Sequence, residues 1–426
     1  MPIRDATKRP AKSRRAHVRE ALLEANGLLR ARNPPGWSEK LDRIVSSPFA
    51  CFRGTADLYF RDLAGTDEGL PVVLCNGDAH PENFGVMRGE GGELVFGPND
   101  FDEAHPAPFS WDLRRSVTGF ELLCRQRGLR RRDRKRVVVA VVDGYFQALR
   151  GYRRDKNVHE PRFVIGNSPG IIDDVLSRAA RRSRRRFLDK RVDAQEGRLG
   201  GRDDIVSVHE RVPEFQAALA DYRARLGALA PERKRFFRVK DVAEKRGSGT
   251  GSLGLERYYV LIEGSSKEFE DDVILEIKEA VPSALAPHTA FDGELPRPEA
   301  ARIVMAHEVQ LAAGDPFFGY TEIGGDSFVV RERGEHKRSV NVHEADPEEL
   351  VEYATVCGEA LAQTHARCRL SKGTGRGSPA KQILGAAHGG ELEEHLLEFA
   401  SVSADRVEED HGVVLQIGDE LRSAGV

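Results

Sequence analysis

Cysteine, methionine and tryptophan are scarce in this chain, and it lacks any long hydrophobic run. The five cysteines are scattered and form no CxxC pair, so neither a disulfide framework nor a zinc site is indicated, and the cytoplasm is the expected compartment. The most apolar run, Val137 to Val142, is far shorter than the roughly 20 residues that span a bilayer. The segment Met1 to Arg19 is basic without an apolar stretch, which argues against a secretory signal. We therefore expect no membrane segment.

An excess of either charge sign is also missing, because 65 Lys and Arg against 68 Asp and Glu leave a formal net charge of −3. This balance excludes a globally basic nucleic-acid binder but not a local basic patch. Two Arg-rich stretches, Arg125 to Arg136 and Arg178 to Arg191, have helical spacing. They are either solvated helix faces or a surface that receives an anionic partner such as RNA, and both interpretations stay open.

Hydrophobic spacing predicts an α+β protein without internal repeats. Short β-rich runs at Pro71 to Cys75 and Leu94 to Phe96 precede a helical region from Ser110 to about Leu229. From Phe236 the hydrophobic spacing is that of β-strands, and one helix is expected at Pro298 to Ala313. The strands expected there are Val239 to Lys245, Tyr258 to Glu263, Val273 to Glu279, Tyr320 to Ile323 and Ser327 to Arg331. From Pro347 the pattern is helical again, broken at Ser371 to Ser378.

A first segment with the chemistry of a reaction site, NGDAHPENFG, follows the first β-rich run. It presents Asp78 and, five positions later, Asn83. Phosphoryl transfer needs a carboxylate that orients the attacking hydroxyl and an amide oxygen that holds Mg²⁺. In the alternative interpretation, Asp and Asn only cap backbone groups of a loop. His80 has either a direct role or the role of a packed loop histidine.

A second segment, NDFDE, follows the next strand and places Asp100, Asp102 and Glu103 within four residues. Carboxylates so close repel one another unless a cation compensates them. Mg²⁺ prefers one or two carboxylates together with phosphate oxygens, so this is a candidate metal site. The alternative is an acidic hairpin tip in water.

A third segment, Arg246 to Gly254, is a glycine-rich turn between two predicted strands. Glycines let backbone N–H groups approach phosphate oxygens, although no GK[ST] follows as in a Walker loop and flexible hairpins look the same. Lys278 lies near the end of a later predicted strand in which apolar residues alternate. A buried ammonium at that position needs an anionic partner.

These segments resemble the aminoglycoside phosphotransferase branch of the protein-kinase-like fold, although Asn76 stands where that branch usually has His. The resemblance implies an α+β, two-lobed protein-kinase-like fold with a helical larger lobe and a circularly permuted order, in which the catalytic segment precedes the glycine-loop lobe. A helix ending at His365, which precedes the catalytic loop in ordinary kinases, lies after it here. The chain can be opened elsewhere when native termini lie close together at the surface. The hinge would fall near Arg331 to Arg333.

The same resemblance implies a role for each matching residue. The catalytic residues would be Asp78 and His80, and Asp112 would brace the catalytic loop. Mg²⁺ would be held by Asn83, Asp100 and Asp102. Lys278 would bind ATP phosphates and pair with Glu308 or Glu299. The remaining cofactor-binding residues would be Gly247, Ser248, Gly249, Thr250, Gly251, Ser252 and Gly254.

The chain is also similar, over most of Ser46 to Cys368, to a bacterial family of unknown function, domain-of-unknown-function family 2252. The segments that carry this similarity are SPFACFRG, GDAHPENFG, NDFDEAHPAPFSWDLRRS, KDVAEKRGSGTGSLG, LEIKEAVPSAL and LAQTHARC. The expected organisation is a basic arm and helix (1–45), a catalytic and helical part (46–235), a β-rich nucleotide-binding lobe (236–340) and closing helices (341–426).

The expected function is ATP- and Mg²⁺-dependent phosphoryl transfer to the hydroxyl of an unknown small molecule. The alternatives are a protein kinase or AMP-transferase with the same fold, and a non-catalytic module that binds nucleotides or polyanions. The Arg-rich helices favour an anionic or neutral acceptor over a cationic one. Sequence does not indicate the oligomeric state.

Overall fold

The computed structural model describes residues 11–153, 157–193, 195–200, 203–233, 235–247, 253–368, 378–387 and 390–423. Its α+β architecture agrees with the sequence prediction. Within these ranges, no helix combines the length and the apolar character that crossing a membrane requires.

Fourteen helices are described in these ranges. They are α1 (Ala11–Ala25), α2 (Gly27–Arg32), α3 (Pro34–Ile44), α4 (Pro48–Gly54), α5 (Ala56–Leu63), α6 (Ser110–Gln126), α7 (Arg131–Tyr152), α8 (Gly170–Ala180), α9 (Arg184–Leu188), α10 (Val212–Leu226), α11 (Glu299–Gln310), α12 (Pro347–Arg367), α13 (Pro379–Ala386) and α14 (Glu391–Ser423).

The strands form one six-stranded antiparallel sheet and three small pairs. They are β1 (Val72–Cys75), β2 (Phe84–Arg88), β3 (Leu94–Pro98), β4 (His105–Pro108), β5 (Val192–Asp193), β6 (Arg198–Leu199), β7 (Ile205–Ser207), β8 (Val239–Lys245), β9 (Arg257–Ile262), β10 (Val273–Glu279), β11 (Gly319–Ile323) and β12 (Asp326–Glu332). The order in the large sheet is β11-β12-β10-β9-β8-β7, and the small pairs are β1-β4, β2-β3 and β5-β6.

Local sequence explains where several of these elements begin. Ser47 caps α4 by accepting a hydrogen bond from the N–H of Ala50. Asp346 caps α12 and forms a reciprocal capping box with Glu349, with a proline at the first helical position. The pair Gly324 and Gly325 turns β11 into β12, and both have the positive φ that such a tight turn requires.

Apolar side chains form three main clusters. The largest packs α4 to α8, α12 and much of α14 around β1 to β4, and the buried helix α6 lies at its centre. A second cluster packs α10 against the six-stranded sheet. A third joins α1 and α3 to the end of α14, where Trp37, Leu41 and Ile44 meet Val414 and Ile417.

The structure adds to the predicted strands and corrects one region. The two predicted β-rich runs each pair with a strand that the sequence did not single out, since β1 pairs with β4 and β3 pairs with β2. The short strands β5 to β7 fall inside the region expected to be helical, and β7 forms an edge of the large sheet. These strands are two or three residues long, too short for a periodic pattern to reveal.

Candidate active site

The loop that follows β1 is held by a buried carboxylate on the first turn of α6. Asp112 accepts hydrogen bonds from the N–H of Asn76 at 2.6 Å and of Gly77 at 2.8 Å. Its Oδ2 also lies 3.0 Å from Nε2 of His365, at the end of α12, while Nδ1 of His365 lies 2.7 Å from the Tyr145 hydroxyl. Asp112 therefore braces the loop, as predicted, and His365 supports the brace.

Asp78, the expected catalytic carboxylate, is fixed through both of its oxygens. Oδ1 accepts from Arg115 Nε at 2.9 Å and lies 2.8 Å from Nη2. Asn83 Nδ2 donates to the Asp78 carbonyl at 2.9 Å and lies 3.3 Å from Oδ2. Because the Asn83 amide nitrogen is used in this way, its Oδ1 is the atom left to bind a cation.

His80 lies in the same loop and is only 2% exposed. Burial lowers the pKa of His80 to about 4, so the ring is neutral at pH 7. Nδ1 accepts from the N–H of Glu82 at 3.1 Å, and Arg53 Nε lies 3.2 Å from Nε2. These are contacts of a packed loop histidine, and a catalytic role for His80 stays a prediction.

The acidic loop between β3 and β4 is hydrogen-bonded to the first loop at two points. The N–H of Asn99 donates to the carbonyl of Asn83 at 3.1 Å, and Asn76 Nδ2 donates to the carbonyl of Asp100 at 2.8 Å. The backbone of Glu103 crosses Gly77 so closely that a Cβ on Gly77 would lie 2.2 Å from the Glu103 carbonyl oxygen. Asp78 and the three acidic side chains are therefore brought together.

Asp100 lies among positive charges. Burial raises its pKa, but the charges of Lys278, Arg331 and Lys337 outweigh burial and lower it overall. Among the residues that the structure describes, no hydrogen-bond donor reaches its carboxylate, so Asp100 is a suitable ligand for a further cation. Glu103 differs, because burial and the nearby charges of Asp78 and Asp102 raise its pKa to about 7.

Lys278 on β10 reaches this acidic loop and forms an ion pair with Asp102. Lys278 is largely buried, as the sequence predicted. The expected pairing with a glutamate of α11 is wrong for this state of the protein. Glu308 is exposed, and Glu299 pairs with Arg297 and Arg302 instead.

The glycine loop joins β8 to β9, and Ser248, Gly249, Thr250, Gly251 and Ser252 lie outside the described residues. Its two ends contact the N-terminal helices, which sequence reasoning did not foresee. Arg43 Nη2 donates to the carbonyl of Gly247 at 2.9 Å. A Cβ on Gly254 would lie 2.2 Å from Cδ1 of Leu29.

A cleft adjoins Lys278, and both acidic and basic side chains line it. Its inner part is formed by Asn99 to Asp102, Glu276, Lys278, Phe318, Val329 and Arg331. A second part, which shares Asn99, Phe101, Phe318 and Arg331 with the first, continues along Val86, Met87, His307 and the segment 331–337. His307 stacks on Phe318 with ring centroids 4.0 Å apart, and burial lowers the pKa of His307 to about 3.

Sequence reasoning did not identify two residues of the site, Arg115 and Arg331. Arg115 stands three positions after Asp112, which places both on one face of α6. Arg331 lies opposite Glu276 in the sheet register and within 3.2 Å of its carboxylate, so this buried cross-strand ion pair forms one wall of the cleft. Neither pairing could be read without the strand register and the helix bounds.

The Arg-rich stretches are largely engaged with acidic side chains. Arg125 contacts Glu121, Asp405 and Glu408, and Arg134 also contacts Glu121. In the second stretch, Arg178, Arg184 and Arg185 each pair with a carboxylate. These contacts favour the interpretation of solvated, ion-paired helix faces over a surface for an anionic partner.

Cys75, Asp112 and His365 could in principle share a metal ion, because their ligand atoms lie within 4.8 Å of one another. Asp112 and His365 are already bound to the loop N–H groups and to Tyr145. Burial raises the pKa of the Cys75 thiol well above its usual value. This cluster is therefore the loop brace.

The structure defines the class as an α+β protein in which two acidic loops meet a lysine of an antiparallel sheet. The model of one family, described as an uncharacterized protein conserved in bacteria (DUF2252), matches residues 32–416. The chain belongs to that family, as its segments predicted. No curated protein and no solved structure matches the chain.

Proposed function

We propose that the protein is an ATP- and Mg²⁺-dependent phosphotransferase with a kinase-like architecture in permuted order. One observation carries the proposal. The loop with Asp78 and Asn83 is hydrogen-bonded to the loop with Asp100 and Asp102, and the second loop is paired with Lys278. Phosphoryl transfer depends on positioning and charge stabilisation, which such a constellation supplies.

The order of elements supports the permuted architecture. The hairpin β8-β9 carries the glycine loop, β10 carries Lys278, and α11 and the strands β11 and β12 follow. Helix α12 then ends at His365, which reaches back to the brace of the catalytic loop. Read cyclically, this is the order of a kinase-like fold, with the chain opened between α12 and the catalytic loop.

Each residue has a distinct part in the proposed reaction. Asp78 Oδ2 orients the acceptor hydroxyl, whose oxygen bonds to the γ-phosphorus as the bond to the β–γ bridging oxygen breaks. ADP leaves, and the hydroxyl proton passes through Asp78 to solvent. Asn83 Oδ1 and the Asp100 carboxylate fit Mg²⁺, which when bound neutralises charge on the phosphate oxygens.

Lys278 would move from Asp102 to the phosphates when nucleotide binds. Asp102 would then be released to act as a further oxygen ligand for the metal. The part of the cleft beside Met87 and the segment 331–337 is the location we propose for the nucleoside. Most of a bound ligand's surface is usually buried in such a pocket.

Thermal unfolding with and without Mg·ATP tests this function. At about 100 times its dissociation constant, a ligand stabilises the native state by roughly 2.7 kcal/mol, which raises Tm by a few degrees. We expect a Mg²⁺-dependent rise in the wild type that Lys278→Ala and Asp100→Ala abolish.

Exposed residues of the same sheet region provide matched controls. Lys267→Ala and Asp326→Ala should keep the full shift, because both side chains are exposed. No shift in a folded wild-type protein at millimolar Mg·ATP would refute the proposal. Intact-mass spectrometry after incubation with ATP and lysate then distinguishes small-molecule phosphorylation from transfer of a phosphoryl or AMP group to protein.

A further inference from the structure

Arg115 occupies an unusual position beneath the catalytic loop. Its side chain is fully buried in the middle of α6, one turn after Asp112. Asp112 holds the loop backbone at Asn76 and Gly77, whereas Arg115 holds the carboxylate of Asp78. One helix face therefore fixes both the backbone and the reacting side chain of the loop.

The guanidinium of Arg115 is held in place by α4 and α5. Its Cζ lies 3.7 Å from the ring centroid of Phe52 and 5.0 Å from that of Tyr59. Nη2 also donates to the carbonyl of Phe52 at 2.9 Å. The segment SPFACFRG, to which the proposed reaction gives no role, thus forms the seat of this arginine.

The contacts of Arg115 are directed at the loop and its support. Nε and Nη2 contact Oδ1 of Asp78, and Nη2 also donates to the Phe52 carbonyl. The neighbouring buried Arg114 is different, because it forms two 2.9 Å hydrogen bonds to Asp67, away from the loop.

We propose that Arg115 is a positioning residue of the active site: it fixes Oδ1 of Asp78 so that Oδ2 faces the acceptor hydroxyl. The inference rests on the proposed phosphoryl transfer and deepens it. Because Nε and Nη2 contact the same oxygen, the carboxylate cannot rotate without losing both contacts. The rings of Phe52 and Tyr59 prevent the guanidinium from moving with the carboxylate.

The test compares Arg115→Met and Arg115→Lys with the wild type, by ADP release from Mg·ATP with water and a panel of hydroxyl compounds as acceptors. A misplaced reacting group lowers the rate of the chemical step while nucleotide binding is kept, and we expect kcat to fall about 100-fold in Arg115→Met. The dissociation constant of Mg·ATP should stay within about threefold, since binding depends on other residues. Arg115→Lys, which keeps the charge, should recover part of the rate.

Arg114→Lys is the matched control, because it changes a buried, ion-paired arginine of the same helix that does not touch the loop. It should lower Tm and leave kcat unchanged. In a double-mutant cycle, Asp78→Asn with Arg115→Met should be no slower than Asp78→Asn alone, since both changes remove one function. If Arg115→Met does not fold, Phe52→Leu, which loosens the seat, should lower kcat in the same direction by a smaller factor.

Some outcomes would refute only the positioning role of Arg115, and others would refute the proposed function as well. A folded Arg115→Met with wild-type kcat, or effects of Asp78 and Arg115 that multiply, would refute the positioning role while the phosphotransferase stands. A wild type that binds no Mg·ATP, or releases no ADP with any acceptor of the panel, would refute the proposed function and this inference with it.

Discussion

Asp315, on the wall of the cleft, gives a quantitative prediction about stability and pH. Its Oδ1 accepts from the N–H of Phe317 at 2.8 Å and its Oδ2 lies 3.3 Å from the N–H of Glu332. Burial, followed by the nearby charge of Glu332, raises the pKa of Asp315 from 3.8 to about 7. The folded protein therefore holds the proton of Asp315 at pH values where the unfolded chain has already released it.

The sign of the effect follows from this difference. The stabilisation that Asp315 provides is fully present below pH 4 and is lost as the pH rises to about 7. A difference of about three pKa units corresponds to about 4 kcal/mol at most. Because the side chain is only half-buried, solvent screening reduces the expected change to about 2 kcal/mol.

Asp315→Asn removes the titration but also removes one of the two oxygens that accept backbone N–H bonds. In urea unfolding the variant should therefore be less stable than the wild type at pH 4.5, and its free energy of unfolding should gain about 2 kcal/mol relative to the wild type between pH 4.5 and pH 8. Asp326→Asn, an exposed change on the same sheet, should show no such divergence. A stability difference between Asp315→Asn and wild type that is independent of pH would contradict the reasoning.

Three further predictions concern the two loops and Lys278. Asp112→Asn should lower the free energy of unfolding by about 3 kcal/mol in urea titrations, because a buried carboxylate with two N–H donors loses an acceptor; a loss below 1 kcal/mol would contradict the brace. Gly77→Ala should destabilise the fold by about 2 kcal/mol, since the φ of +83° and the Glu103 carbonyl leave no room for a Cβ. Asp102→Asn should weaken Mg·ATP binding less than Lys278→Ala, because it also frees Lys278 from its ion pair; calorimetric titration compares the two.

Local pattern was enough to locate most strands of the six-stranded sheet, and the resemblance identified the loop brace. The strands β8 and β10 have the bounds that their alternation predicted, since each carries a regular apolar face. Asp112 was identified from the resemblance, and its two N–H donors confirm it. Here the residues that share a role lie in one recognisable segment, so the prediction needed no tertiary information.

Pairings between distant segments could not be predicted in the same way. Lys278 had two candidate partners on the following helix, yet the structure pairs it with Asp102, 176 residues earlier. The sequence left open whether the Arg-rich stretch near Arg125 is a solvated helix face or a surface for an anionic partner, because its partners Asp405 and Glu408 lie on α14. In both cases the side-chain type was informative and the partner depended on how helices and sheet pack.

The brace also makes the loop after β1 depend on distant parts of the chain. His365 and Asp112, which are 253 residues apart, are both completely buried where they meet. Tyr145 of α7 completes the contact, and α7 and α12 pack against each other over much of their length. The complete brace therefore requires α12 packed against α7, with His365 in contact with Asp112 of α6. A fragment that ends before Pro347 keeps every residue expected to react, yet it leaves Asp112 without His365 and the loop without its full support.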